Sequence, residues 1–173
     1  YAPLIDQAMK TMDYTNFINV SQPRMRAEGK HVGIGVVAYV EGTGIGPYEG
    51  AKVQVMSSGR VSVVTGVGTQ GQGHFTSFAQ IVAEQIGVDV NKIDVVTGDT
   101  DQFYWGAGTF ASRGAVVAGN AINEAAKVVR KKILKLASEH FNAPEDELEL
   151  ADGMVKVQDL PRMSISLGEL AGK

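Results

Sequence analysis

The sequence predicts an α+β fold, a mixed sheet with helices packed on one face, in a single domain over residues 1–173. Three observations predict it. Short β-branched runs and amphipathic stretches at helical spacing mix without the strict strand–helix alternation of a doubly wound fold. Two pairs of short runs are joined by tight-turn sequences, the mark of hairpins. A chain of 173 residues, 44% hydrophobic and 20% charged, has the composition of an ordinary globular protein. At that length it buries about two-thirds of its unfolded surface.

The elements follow in order. Residues 3–14 place Leu4, Ile5, Ala8, Met9 and Met12 at helical spacing, which predicts an amphipathic helix. The polar residues 15–30 read as a loop. Residues 31–41, H-V-G-I-G-V-V-A-Y-V-E, are rich in β-branched side chains and read as a strand, interrupted by residues 42–50. Residues 51–56 and 60–65 alternate and are linked by Ser-Ser-Gly, a hairpin. Residues 75–86 read as a second helix stopped by Gly87, the position of a glycine C-cap. Another strand covers residues 92–97. The glycine-rich residues 98–114 then lead into the longest helix, 115–141, with Ile122, Ala125, Ala126, Val129, Ile133 and Ala137 on its apolar side. Residues 147–151 and 154–158 form a second hairpin about Asp152-Gly153, a dipeptide that favours a type I′ turn. The closing S-L-G-E-L-A-G-K reads as a helix beginning. With Tyr1 in place of an initiator methionine, the chain is expected to be a piece of a longer protein or a processed subunit.

Composition excludes several functions. A net charge of -3 argues against nucleic acid. Lys127, Arg130, Lys131, Lys132 and Lys135 cluster late in the long helix, where cations complement the helix dipole, and the six acids between Glu139 and Asp152 would oppose phosphate. With no cysteine, any iron–sulfur cluster or zinc-thiolate site lies on another polypeptide. No apolar run approaches the ~18 residues of a membrane span and no signal-peptide pattern opens the chain, so no membrane is expected and the cytoplasm is the expected compartment.

Two glycine-rich entrances to helices carry the chemistry. Gly66-Val-Gly68-Thr-Gln-Gly71 is a literal G-x-G-x-x-G between a strand and a helix, which raises a Rossmann-type NAD-binding turn with Asp99 as its acidic residue. A hairpin rather than a lone first strand precedes it, and no Lys follows to make a P-loop. In Gln70-Gly71-Gln72-Gly73-His74, glycines allow close backbone approach, the helix N-terminus favours anions, and carboxamides both donate and accept hydrogen bonds. That combination suits a phosphate-bearing heterocycle, and a plain glycine turn is the alternative. The second entrance, Gly106-Ala-Gly-Thr-Phe-Ala-Ser-Arg-Gly114, offers Thr109, Ser112 and Arg113 as an anion cradle, or Ser112 as a simple helix cap. Asp99 and Asp101 are too few for a metal site and read as a turn. His31, His74 and His140 show no metal-ligand spacing, and no catalytic triad assembles.

Taken together, G-I-G-V-V-A-Y-V-E-G-T-G-I-G-P-Y-E-G-A, Q-G-Q-G-H-F-T-S-F-A-Q-I, G-D-T-D and G-A-G-T-F-A-S-R-G-A resemble the molybdenum hydroxylase family of xanthine dehydrogenases, aldehyde oxidoreductases and aerobic carbon monoxide dehydrogenases. The likeness covers nearly the whole chain and corresponds to an internal segment of the large molybdopterin-binding subunit. It implies a molybdopterin cytosine dinucleotide with molybdenum. It also implies oxidative hydroxylation of an aldehyde, N-heterocycle or CO-like small-molecule substrate with water as the oxygen source. Gly71, Gln72, Gly73 and His74 match the first cofactor loop, with Gln72 on the cofactor or a molybdenum oxo ligand. Phe110, Ala111, Ser112 and Arg113 match the second, where Ala111 leaves room beside the metal. The family's glutamate base lies in a G-x-G-E type motif that this chain lacks, and Glu41, Glu49 and Glu169 stand in other contexts, so no catalytic residue is assigned. The resemblance implies partners: the remainder of the molybdenum subunit, and iron–sulfur and FAD-bearing chains or domains. Turnover by the isolated chain is not expected, and a scaffold of the same fold without cofactor is the non-enzymatic alternative.

Overall fold

The computed structural model describes residues 2–173. The chain separates into two compact units, one ending at Val40 and the other Glu41–Lys173.

The first unit is helical where the sequence reading expected a loop. α1 (Ala2–Thr11) is the anticipated amphipathic helix. It is followed by α2 (Tyr14–Asn16), a π-helical turn over Phe17–Ser21 and α3 (Gln22–Ala27), so residues 15–30 are not a polar connector. Tyr14, Phe17, Ile18, Ser21, Gln22 and Met25 are the half-buried positions, spaced as one helical stripe, and Pro23 sits in the first turn of α3 where it is tolerated. The polar residues between them mask that stripe. The second correction concerns residues 31–41: they form no strand, and Val37, Tyr39 and Val40 are exposed. β-branched content is a preference for a pleated, half-buried surface, and no neighbouring strand supplies one here.

The second unit carries the expected α+β architecture in two three-stranded sheets. β1 (Ala51–Val55) and β2 (Val61–Thr65) make the anticipated hairpin, and β3 (Ile93–Thr97) pairs in parallel with β2, with Val53, Val63 and Val95 in register across the mixed sheet. Between β2 and β3 runs α4 (His74–Ile86), which stops at Gly87 in left-handed conformation. After β3, a π-helical turn over Gly114–Ala118 leads into α5 (Gly119–Phe141). α5 packs on α4 and β1, and α4 packs on β3, so both helices serve the mixed sheet. Val61, Val63, Phe78, Val82, Ile122 and Ala126 are fully enclosed at that contact. Dispersion and apolar burial at such density are the main force holding these layers together.

β4 (Leu148–Ala151) and β5 (Met154–Val157) form the second hairpin, with Asp152 at φ 54° and Gly153 at φ 76° as a type I′ turn requires. β6 (Leu160–Ser166), which the sequence reading missed, completes an antiparallel meander. Leu148, Leu150, Val155 and Ile165 deliver this sheet into the same core as α4 and α5. α6 (Leu167–Ala171) begins with a capping box between Ser166 and Glu169.

One topological fact positions the site. Because β2 and β3 are parallel, residues 66–73 and 98–113 leave the mixed sheet at the same end, each running toward a helix start. Crevices beyond the carboxyl ends of parallel strands are where such sheets bind ligands.

Candidate functional site

The two loops meet backbone to backbone. A Cβ on Gly66 would overlap the Trp105 carbonyl, and one on Gly106 would overlap the Gly66 carbonyl, so only glycine permits the crossing. Thr109 Oγ1 donates to Gly68 O, and Gln70 Nε2 donates to Thr109 O at 3.4 Å, lacing the loops beyond that point. The result is one cleft of about 570 Å³ lined by Gln70, Gln72 and His74 from the first loop and Phe110, Ala111 and Ser112 from the second. Gly71 and Gly73 do not line it but shape its wall with φ of 98° and 82°. A larger hollow of about 690 Å³ beside Gly87 and Asp152 contains none of the anticipated site residues and is a surface groove between the segment after α4 and the β4–β5 turn.

Gln72 is fixed by its own loop. Its Oε1 accepts from Gln70 N at 2.7 Å and from Thr69 Oγ1 at 3.2 Å, which leaves the side-chain NH₂ as the group offered to the cleft. Thr76 and Ser77 N–H both donate to Gly73 O, and the His74 and Phe75 amides, at the first two positions of α4, have no intrahelical partner. Together with the positive end of the helix dipole these donors suit an acceptor-rich, anionic ligand.

His74 is a wall rather than a surface cation. It is 5% exposed, its ring stacks on Phe78 with centroids 4.7 Å apart, and its Nδ1 has no partner among the described residues. Burial lowers its pKa, so the neutral imidazole prevails at neutral pH. Its Nε2 edge lies where a Cβ on Gly114 would sit, tying α4 to the start of the helical run into α5.

On the second loop Ala111 and Ser112 occupy left-handed backbone consecutively, φ 47° and 48°. Gly44 N donates to Ala111 O at 3.1 Å and Ser112 Oγ donates to Glu41 Oε1 at 2.8 Å, holding the pair in place. Ser112 is therefore not a helix cap. Arg113 turns inward with its side chain 0% exposed, donating to Glu49 Oε1, Pro47 O and Gly108 O and lying 5.0 Å from the Phe110 ring centroid.

The glutamates weighed from sequence are all engaged. Glu41 accepts from Ser112, Glu49 accepts from Arg113 and Ala107 N, and Glu169 serves α6, its pKa lowered first by the Ser166 hydrogen bond. Sequence reasoning missed Glu41 and Glu49 as members of the site because each is a single acid in a loop whose partner lies more than sixty residues away. Asp99 makes the expected turn, accepting from Asp101 N and Gln102 Nε2. That carboxylate is engaged within its own turn and Gly66 is covered by Trp105 and Gly106, so the acidic residue and the first glycine of the Rossmann-type reading are both taken up by the protein itself. Among the described residues no group of three His, Cys, Asp or Glu side chains gathers as a metal site, and no helix is long and apolar enough to cross a membrane.

Fold and cleft define an α+β domain with an open cleft beyond the carboxyl ends of a parallel strand pair. The family described as "Molybdopterin cofactor-binding domain" matches residues 7–173, and the chain belongs to it, as an internal segment of a molybdenum hydroxylase large subunit. It is 39% identical over 166 residues to the 6-hydroxypseudooxynicotine dehydrogenase complex subunit gamma of Paenarthrobacter nicotinovorans, covering 96% of this chain and 21% of that one. It is 29% identical to the carbon monoxide dehydrogenase large chain of Afipia carboxidovorans, over 99% of this chain and 23% of that one. Quinoline 2-oxidoreductase from Pseudomonas putida 86 superposes with a TM-score of 0.68 at 31% identity, over 96% of this chain and 22% of that chain. The chain thus spans between 21% and 23% of these relatives.

Proposed function

We propose that this chain holds a molybdopterin dinucleotide, in its cytosine form, within the large subunit of a molybdenum hydroxylase. The observation that carries the reading is the state of Gln72: its acceptor oxygen is consumed inside the loop, so only N–H donors remain for a ligand in the cleft. Phosphates, pterin carbonyls and metal-bound oxo groups are all acceptors. In this reading Gly71, Gly73 and His74 with the first turn of α4 hold the dinucleotide part. Gln72 donates near the metal, and Phe110, Ala111 and Ser112 close the opposite side, with Arg113 behind them. Ala111 has the one-carbon side chain that a bulky group beside it demands.

When bound, the molybdenum supplies two-electron oxidation of a substrate carbon with water as oxygen source. This chain's residues orient the cofactor and exclude bulk water from the cleft. The base, the substrate pocket and the electron path through iron–sulfur and flavin centres then belong to the rest of the subunit and to partner chains. The isolated chain carries no turnover. The substrate class is an aldehyde, an N-heterocycle or a CO-like small molecule.

The test is metal content. The full-length subunit assembled with its partners and carrying Gln72→Ala is expected to hold several-fold less molybdenum per protein than the parent. Unchanged content would favour a scaffold that binds no cofactor through these loops.

A further inference from the structure

We infer that Glu49 is a positioning residue for the cofactor cleft, acting through Arg113 rather than on the ligand. The inference rests on the reading of the cleft given above. Arg113 lies in the second loop, where an arginine beside small residues invites assignment as an anion ligand. Three of its five N–H donors are used within the protein: one terminal nitrogen serves Glu49 Oε1 and Gly108 O, the other serves Pro47 O, and the guanidinium lies over Phe110, while Nε is buried with no partner among the described residues. Both side chains of the ion pair are 0% exposed.

The carboxylate ties more than one point. Glu49 Oε1 also accepts from Ala107 N at 3.1 Å, so residues 107 and 113, the two ends of the segment that carries Phe110, Ala111 and Ser112, are fastened to a single oxygen atom. The neighbours reinforce the tie, for Trp105 Nε1 donates to Tyr48 O at 3.1 Å and the two rings stack. A seven-residue segment closed in this way keeps the left-handed Ala111–Ser112 pair ready before any ligand arrives, which is preorganisation in the ordinary thermodynamic sense.

A buried ion pair is a poor device for stability alone, because well-packed apolar residues of similar volume commonly match it. That property separates positioning from folding. In the full-length subunit assembled with its partners, the double variant Glu49→Leu/Arg113→Met is expected to melt within a few degrees of the parent. Amides of residues 107–114 are expected to exchange at least tenfold faster with solvent deuterium, those of α5 and the β4–β5 hairpin at the parental rate, and molybdenum content to fall several-fold. Glu49→Gln, which keeps the shape and one acceptor, is expected to move exchange and metal content in the same direction by less. Parental exchange over residues 107–114 in either variant overturns the inference. So does loss of fold in both variants, since the pair then serves the whole fold. If the parent holds no molybdenum while the variants still loosen residues 107–114, the cofactor reading fails and the clasp stands.

Discussion

Ser112 Oγ donates to Glu41 Oε1 across 2.8 Å, and through that contact a residue at φ 48° is anchored to a segment seventy-one positions earlier. Left-handed backbone costs a non-glycine residue about 1–2 kcal/mol, and Ala111 and Ser112 adopt it in succession. Glu41→Ala should therefore loosen the loop. Because the pair is exposed, global stability should fall by less than about 1 kcal/mol while cofactor retention falls several-fold. Adding Ser112→Gly, which removes the steric cost, should restore retention. Molybdenum content of the two variants, measured side by side, decides the matter.

His74 sets a pH dependence. Burial holds its folded pKa below the ordinary 6.5, so the fold prefers the neutral ring. Its contribution is complete above about pH 6.5 and is lost as pH falls through the folded value. Asp94 and Glu169 also titrate low, owing first to hydrogen bonds from Arg60 and Ser166, but their contributions fade only below their ordinary 3.8 and 4.5. Thermal melts between pH 7 and 5 should show a falling melting temperature, and His74→Gln should flatten that slope.

The crossing of Gly66 and Gly106 admits no side chain. In Gly106→Ala the new methyl would meet the Gly66 carbonyl, and a backbone group cannot swing aside. The expected cost is about 3 kcal/mol, the upper end for overpacking. Urea denaturation of the chain measures it.

Phe78 is fully buried in the α4–α5 contact and supports the His74 ring. Phe78→Ala should remove about 3–5 kcal/mol of stability. It should also raise the His74 pKa toward its ordinary value by letting water reach the ring, and NMR titration of that imidazole reads the second effect.

Val37 is 85% exposed and Tyr39 80% exposed on a segment that pairs with no strand. Apolar side chains along unpaired backbone invite association. Val37→Thr with Tyr39→Thr should lower self-association of the chain at high concentration, as light scattering would report.

Legibility in the sequence followed the range of the forces involved. Both hairpins, α4 with its Gly87 stop, β3 and α5 were readable because caps, turns and apolar periodicity act over a few residues. Residues 14–25 were not, since Ser21 and Gln22 occupy stripe positions that hydropathy alone assigns to solvent. β6 was missed because Pro161 and Arg162 interrupt its pattern. Within the candidate site, Gln72 and Ser112 were visible as loop chemistry and Ala111 through the family resemblance alone. Glu41 and Glu49 were invisible, as their partners lie 71 and 64 residues away and only folding brings them together.

The parallel ladder between β2 and β3 also acts as the ruler of the cleft. Each residue along such a ladder advances about 3.3 Å, so a slip that preserves sidedness would displace one loop mouth from the other by about 6.6 Å. The pairs Val61–Ile93 and Val63–Val95 do not line the cleft, yet they belong to the register from which both of its loops depart. A substitution in the sheet interior that shifted this register would accordingly move the loop mouths while altering no residue at the cleft surface.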